Sequence, residues 1–247
     1  MLNIKDAKVK SFDTIDSTNS EAHRILNNNN LKEPLWILTS SQTSGRGRNS
    51  NSWISEKGNL FTSLVIPIVW NIRILPMLSC VIALSVYETI SQFVNDTKLL
   101  KIKWPNDILF DDAKISGILI ENQISELNKY SVIGIGVNIN TSPDKLDYKT
   151  QNLKAISSKT DFEIYDFFIS LKECLHKNLN IFGEDSLDYF NNTVLKNAWR
   201  IGENIIFKEG INQREAKFVG FTKNYEIVLE IEGEVLNLSS GEISITR

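Results

Sequence analysis

The sequence predicts an α+β fold, a β-sheet packed against helices and followed by a small C-terminal β-barrel. Three observations carry this. Residues 74–93 and 162–179 repeat apolar side chains at spacings of three and four, the period of a helix packed on one face. Between those segments lie alternating or β-branched runs at residues 99–110, 114–121 and 130–140, which read as strands. From Gly202 onward the apolar period falls to two, and Gly210, Gly220, Gly233 and Gly241 punctuate short runs. That pattern suits a small barrel and divides the chain into residues 1–199 and 200–247.

Composition narrows the function classes. Of 247 residues, 42% are hydrophobic and 23% charged, which is enough apolar material for a buried core. A formal charge of -3 argues against a nucleic-acid binder that works by bulk electrostatics. Cys80 and Cys174 both fall inside helical patterns and read as free core thiols of a reducing compartment. The first ten residues carry charges where a signal peptide needs its apolar stretch. No uninterrupted apolar run approaches a membrane span, so the expected location is cytoplasmic, without membrane attachment.

In chain order, a weakly alternating run with Val9, Phe12 and Ile15 predicts one short strand. Asp16-Ser17-Thr18-Asn19 heads a helix, with Thr18 and Glu21 at capping-box spacing and Ala22, Ile25 and Leu26 behind. Capping needs one of those small polar residues, which leaves others free to face a ligand. After a strand around Trp36-Ile37-Leu38 comes Gly45-Arg46-Gly47-Arg48, a loop that alternates permissive backbone with guanidinium forks suited to phosphate or carboxylate oxygens. The helix at 74–93 carries Pro76 in its first turn, where proline is tolerated.

Leu100, Ile102 and Trp104 then alternate with Lys101 and Lys103, Pro105 ends the strand, and Asn106-Asp107 make a turn. Asp111-Asp112 form another turn before Lys114, which stands at the mouth of the next strand. Gly134 and Gly136 share one face of a β-branched strand, leaving backbone bare for a ligand or for a packed helix. Residues 143–160 are polar loop with a short helical piece, as is the asparagine run 27–30 without one. A third helix is expected at 183–198.

Several chemistries are excluded. His23 and His176 are the only histidines, neither beside a serine motif, so a Ser-His-Asp set is not available. His176 near its helix end suits the helix dipole better than a metal, and a structural zinc site lacks ligands. A Walker loop is absent. What remains is a set of cations and backbone donors that could neutralise charge developing on a phosphoryl group or an acyl phosphate.

The ordered motifs resemble those of biotin–protein ligases (biotin–[acetyl-CoA carboxylase] ligases). The matching pieces are Asp16-Ser17-Thr18-Asn19, Gln42 with Gly45-Arg46-Gly47-Arg48, Trp53 and Gly58-Asn59-Leu60. They continue with Lys103-Trp104-Pro105-Asn106-Asp107, residues 114–121 from Lys114 to Glu121, and Gly134-Ile135-Gly136-Val137-Asn138. The resemblance is strong over residues 12–140 and looser beyond. It implies a mixed β-sheet catalytic domain of the biotin/lipoate ligase type, packed against helices, with a small SH3-like C-terminal β-barrel.

It also implies that biotin and ATP give biotinyl-5'-AMP and pyrophosphate, after which biotin passes to one lysine of the biotin carboxyl carrier protein of acetyl-CoA carboxylase. Ser17, Thr18 and Gln42 would line the biotin pocket, with Asn19, Gly117, Gly136 and Asn138 completing the binding set. Residues 45–53, including Gly45, Gly47 and Trp53, would close over biotin and the adenylate, with Arg46 and Arg48 as anion contacts. Trp104, Asn106 and Asp107 would handle nucleotide and Mg2+, Asp107 as the metal ligand. Lys114 would grip carboxylate and phosphate oxygens, with Arg48 and Asp107 beside it in the catalytic set.

Two departures from the family stand out. Ser50-Asn51 replaces the Gly-Arg that bacterial relatives often carry before the tryptophan, and Gly220-Phe221-Thr222-Lys223-Asn224 replaces a Gly-Ile-Asp-like turn. The Asp-Ser-Thr-Asn element begins at residue 16, so no N-terminal DNA-binding domain and no repressor role are expected. A homodimer through a sheet edge stays open. The rival readings are a lipoate–protein ligase and a non-catalytic protein that keeps a biotin or nucleotide pocket.

Overall fold

A computed structural model describes residues 2–28, 31–126, 128–144, 146–157, 159 and 161–245. Strand β1 (Lys8–Ile15), helix α1 (Thr18–Asn28) and strand β2 (Leu35–Gln42) form a crossover that lays β1 parallel to β2. Strands β3 (Leu60–Pro67), β4 (Leu100–Lys103), β5 (Asp107–Phe110), β6 (Ala113–Ile124) and β7 (Lys129–Val137) complete a mixed seven-stranded sheet. Its order is β1-β2-β3-β7-β6-β5-β4, antiparallel from β2 onward. Helix α1 reaches Asn28, so the expected asparagine loop begins later, and Asn29 and Asn30 lie outside the described residues.

Strand alternation sorts the side chains between two cores. Ile37, Val65 and Val132 pack with Ala22 and Leu26 of α1 on one face. Trp36, Leu64 and Ile133 open onto the other face. There lie helices α2 (Leu78–Ser91), α4 (Ile164–Ile181) and α5 (Leu187–Lys196), with a single turn α3 (Leu153–Ile156) in the loop before α4. Within that loop Lys145, Ser158 and Thr160 lie outside the described residues. Pro76 sits in a 3-10 turn, Ile72–Met77, that leads into α2. The segment Ile72–Ser91 is long and apolar enough to cross a membrane, yet 72% of its 18-residue apolar stretch is buried inside the protein. It is a core helix covered on both flanks, which explains its lack of a polar face.

The C-terminal strands are β8 (Asn204–Glu209), β9 (Asn212–Phe221), β10 (Ile227–Ile231), β11 (Glu234–Leu238) and β12 (Glu242–Ser244). They form an open five-stranded sheet of order β11-β10-β9-β8-β12, and the expected SH3-like barrel is not formed. The inward residues give the reason. Phe207, Phe218, Ile227, Leu229 and Ile243 join one apolar cluster with Trp104 and Trp199 of the larger sheet's side. The small sheet therefore buries its face against the rest of the chain and does not curl around an interior of its own. Trp104 Nε1 donates to the Tyr225 carbonyl at 3.0 Å, and Asn191 Nδ2 to that of Thr222 at 2.7 Å, pinning the β9–β10 turn.

Candidate active site

A cavity of about 1080 Å3 lies on the α1 face of the large sheet, lined by residues from both sheets. Its floor is backbone. Gly117 of β6 and Gly136 of β7 are register partners. A Cβ at Gly136 would lie 2.6 Å from the Trp53 ring, and one at Gly117 would lie 2.7 Å from it. Only glycine lets the indole rest on the strands. Gly134 serves a different neighbour, since a methyl there would overlap Asn19 Oδ1 of α1. Gly117 and Gly136 thus answer to a loop, and Gly134 to a helix.

The head of α1 closes one side. Ser17, Thr18 and Asn19 are all buried. Thr18 donates to Gln42 Oε1 through its backbone N–H at 2.9 Å and its hydroxyl at 3.3 Å. Gln42 Nε2 in turn donates to Ser55 Oγ at 2.8 Å. The Thr18–Glu21 capping box is therefore not made: Thr18 serves Gln42, and the Glu21 carboxylate accepts from Arg24 and Lys10. Hydrogen bonds from Arg24 hold the Asp16 carboxyl down at about 2.

Residues 45–53 form the rim. Arg46 and Ser52 pair as an antiparallel bridge, and Trp53 N–H donates to the Gly45 carbonyl at 2.9 Å. At the tip, Asn49 and Ser50 take φ of 52° and 61°, where glycine is at ease and other residues are strained. Arg46 turns outward to Glu121, whereas Arg48 Nη1 reaches Asn106 Oδ1 at 3.4 Å. Burial lowers the Arg48 pKa, opposed by the facing Asp107 and Glu242 carboxylates.

Beneath Arg48 lies the most charged part of the cavity. Lys114 Nζ is 2.8 Å from Asp107 Oδ1, and both side chains are largely shielded from water. Burial pulls the Lys114 ammonium down, but Asp107 more than offsets it, and the pKa is raised. The same ammonium lies 5.3 Å from the Trp53 ring centre and 5.5 Å from that of Tyr148. Lys103 moves the opposite way, lowered by burial and by Lys114, against the pull of Asp107. Backbone bonds on both sides of Lys114, from its N–H to Lys149 O and from Gln151 N–H to its carbonyl, fix its position. Such a site can hold a polyanion and keep a developing negative charge stabilised at low dielectric.

Of the residues singled out from sequence, all but Gly45, Trp104 and Asn138 line this cavity. Gly45 is buried within the loop, where a Cβ would collide with the Trp53 carbonyl and crowd Ser55 Oγ at 2.6 Å. Trp104 is buried at the junction with the small sheet. Asn138 Nδ2 donates to the carbonyls of Lys114 and Gln151, so it acts on the backbone that carries Lys114. Asp112 turns away to Trp199 and Arg200, leaving Lys114 to Asp107. Among the described residues no three His, Cys, Asp or Glu side chains gather as a metal cluster.

Sequence reading missed Lys103, Tyr148, Gln213 and Glu242 as lining residues. In the sequence Lys103 reads as the polar side of a strand. Gln213 and Glu242 come from the small sheet, and no local signal ties that sheet to the cavity. It also gave Glu121 no role, although period two from Gly117 puts Glu121 on the cavity face of β6.

Residues 11–138 match the biotin/lipoate A/B protein ligase family, more than half of the chain. A biotin–[acetyl-CoA-carboxylase] ligase of Paracoccus denitrificans is 29% identical over 222 residues, covering 87% of this chain and 90% of that protein. The bifunctional ligase/repressor BirA of Bacillus subtilis is 35% identical over 156 residues, covering 62% of this chain but only 47% of its own length. Among solved structures, the biotin protein ligase from Aquifex aeolicus in complex with biotin and ATP superposes with a TM-score of 0.81. That pair is 25% identical, with 97% of this chain and 99% of the other covered.

Proposed function

We propose that this chain, which belongs to the biotin/lipoate A/B protein ligase family, is an ATP-dependent biotin–protein ligase. The observation that carries the reading is the largely shielded Lys114–Asp107 pair at 2.8 Å, set beside a glycine-floored cavity and facing Arg48. In a first half-reaction the biotin carboxylate attacks the α-phosphorus of ATP, forming a C–O–P anhydride, biotinyl-5'-AMP, and expelling pyrophosphate. Lys114 and Arg48 hold carboxylate and phosphate oxygens and stabilise the charge that builds on them. Ser17, Thr18 and Gln42 present polar groups to the biotin ring system, and Trp53 covers it. In the second half-reaction a lysine amine of a biotin carboxyl carrier protein attacks the acyl carbon and AMP leaves.

Mg2+ fits this arrangement on donor chemistry. The ion is commonly held by one or two carboxylates together with substrate phosphates, and Asp107 is a shielded carboxylate at the phosphate end. Bound there, Mg2+ would neutralise phosphate charge. The same proposal divides the chain into a catalytic part, 1–199, and a smaller part, 200–247, which contributes Glu242 and Gln213 to the cavity wall. It assigns no DNA-binding role to a chain of formal charge -3.

Pyrophosphate release is the direct test. With MgATP it should depend on biotin and not on lipoate. Release with lipoate alone would move the chain to the sister activity, and release with neither would favour a binding protein without turnover.

A further inference from the structure

We propose that Glu121 is a positioning residue that latches the ligand loop through Arg46 and so governs how long the activated acyl-adenylate is retained; this rests on the ligase reading above. Strand β5 pairs with β6 only as far as Gly117, so β6 is open on that side where it carries Glu121. Two neighbours fill the opening. From the loop, Arg46 donates through Nη2 to Oε1 at 2.5 Å and through Nη1 to Oε2 at 3.2 Å, a two-pronged, charge-assisted contact. From α1, Asn19 Nδ2 donates to Oε2 at 2.9 Å, and His23 Nε2 lies 3.2 Å from the same oxygen.

Asn19 makes the carboxylate a fixed post. It is buried, its Oδ1 accepts from Ser63 Oγ at 2.6 Å, and it stands against bare Gly134. Helix, sheet and carboxylate are thereby locked together before the loop is considered. Burial raises the Glu121 pKa, but the bonds from Asn19 and Arg46 outweigh it and keep the group ionised.

The other partner is different in kind. The Arg46 side chain is 42% exposed at the cavity's edge, and its bond to Glu121 joins the loop to the fold. Arg46 pairs with Ser52 across the loop, next to Trp53, and stands two residues before Arg48. Holding Arg46 therefore restrains both limbs of the rim that covers the cavity. The obvious rival is that Arg46 contacts the ligand's anion directly, in which case Glu121 would compete with the ligand and its loss would tighten binding.

A double-mutant cycle on the full chain separates these. Glu121→Gln removes the charge from β6, and Arg46→Met removes the same pair from the exposed loop without touching β6 or α1. The readouts are the release rate of biotinyl-5'-AMP after a single turnover, KM for biotin, and kcat for pyrophosphate release. Each single variant should release the adenylate about tenfold faster and raise KM, and in Glu121→Gln, which lies outside the cavity lining, kcat should change by less than about twofold. The double variant should be no worse than the worse single, because both remove one interaction. Glu121→Asp should recover part of the retention. Wild-type retention in Glu121→Gln, slower release, or multiplied effects in the double variant would overturn the latch. A wild-type chain that forms no adenylate would instead overturn the ligase reading, and the latch with it.

Discussion

The floor of the cavity and its rim are held by different means. The floor is the β6–β7 ladder, in register from Ser116–Val137 to Ile124–Lys129, with Lys114 pinned by backbone bonds to Lys149 and Gln151. Nothing there can move without breaking sheet. The rim is one loop with a left-handed tip at Asn49 and Ser50, tied down mainly by side chains: Arg46 to Glu121, Arg48 to Asn106 and Gln42 to Ser55. A rigid floor suits the positioning of reacting groups, and a side-chain-tethered rim suits opening for substrate and closing over a water-sensitive anhydride. Chemistry should follow the floor, and retention should follow the rim.

The largest effect expected is at the floor. Lys114→Ala should lower biotin-dependent pyrophosphate release by roughly 10²-fold or more, while the circular dichroism spectrum stays that of the folded protein. Near-normal release would break the assignment of chemistry to the floor. The rim should respond differently. Arg48→Gly should leave adenylate formation measurable but free the adenylate early, which gel and mass mapping would show as biotin on bystander lysines. Labelling confined to the carrier would place Arg48 with the floor. The smallest effect concerns the tip. Ser50→Gly relieves a strained φ of 61° at the possible cost of a looser unfolded chain, so the adenylate release rate should shift by less than about threefold. A tenfold change would show that the tip itself, and not its tethers, sets closure.

Floor and rim were not equally legible in the sequence. The β-branched run around Gly134 and Gly136 announces both a strand and a bare face, because alternation and missing side chains are local properties. Three cations of the cavity are legible too, since Lys114 and the arginines of the Gly/Arg loop stand in contiguous motifs, whereas Lys103 reads only as the polar side of a strand. What failed depends on partners distant in sequence. Period two after Gly202 reports strands but not what their apolar face meets, and Trp104 and Trp199 absorb that face, leaving the sheet open. Thr18 and Glu21 have capping spacing, yet Gln42, 24 residues away, takes the Thr18 hydroxyl. Arg46 and Arg48 look equivalent as letters. Only the position of Glu121, 75 residues on, sends one guanidinium to the outer edge while its neighbour stays over Asp107.

One measurement tests the central claim most directly: intact-mass analysis of an apo biotin-carrier domain and an apo lipoyl domain, incubated with the full chain, MgATP and either biotin or lipoate. The account predicts that the carrier gains one biotinyl group, only with biotin and ATP both present, and that the lipoyl domain stays unchanged. A lipoyl adduct on the lipoyl domain, or no adduct on a carrier that a known ligase can modify, would contradict it.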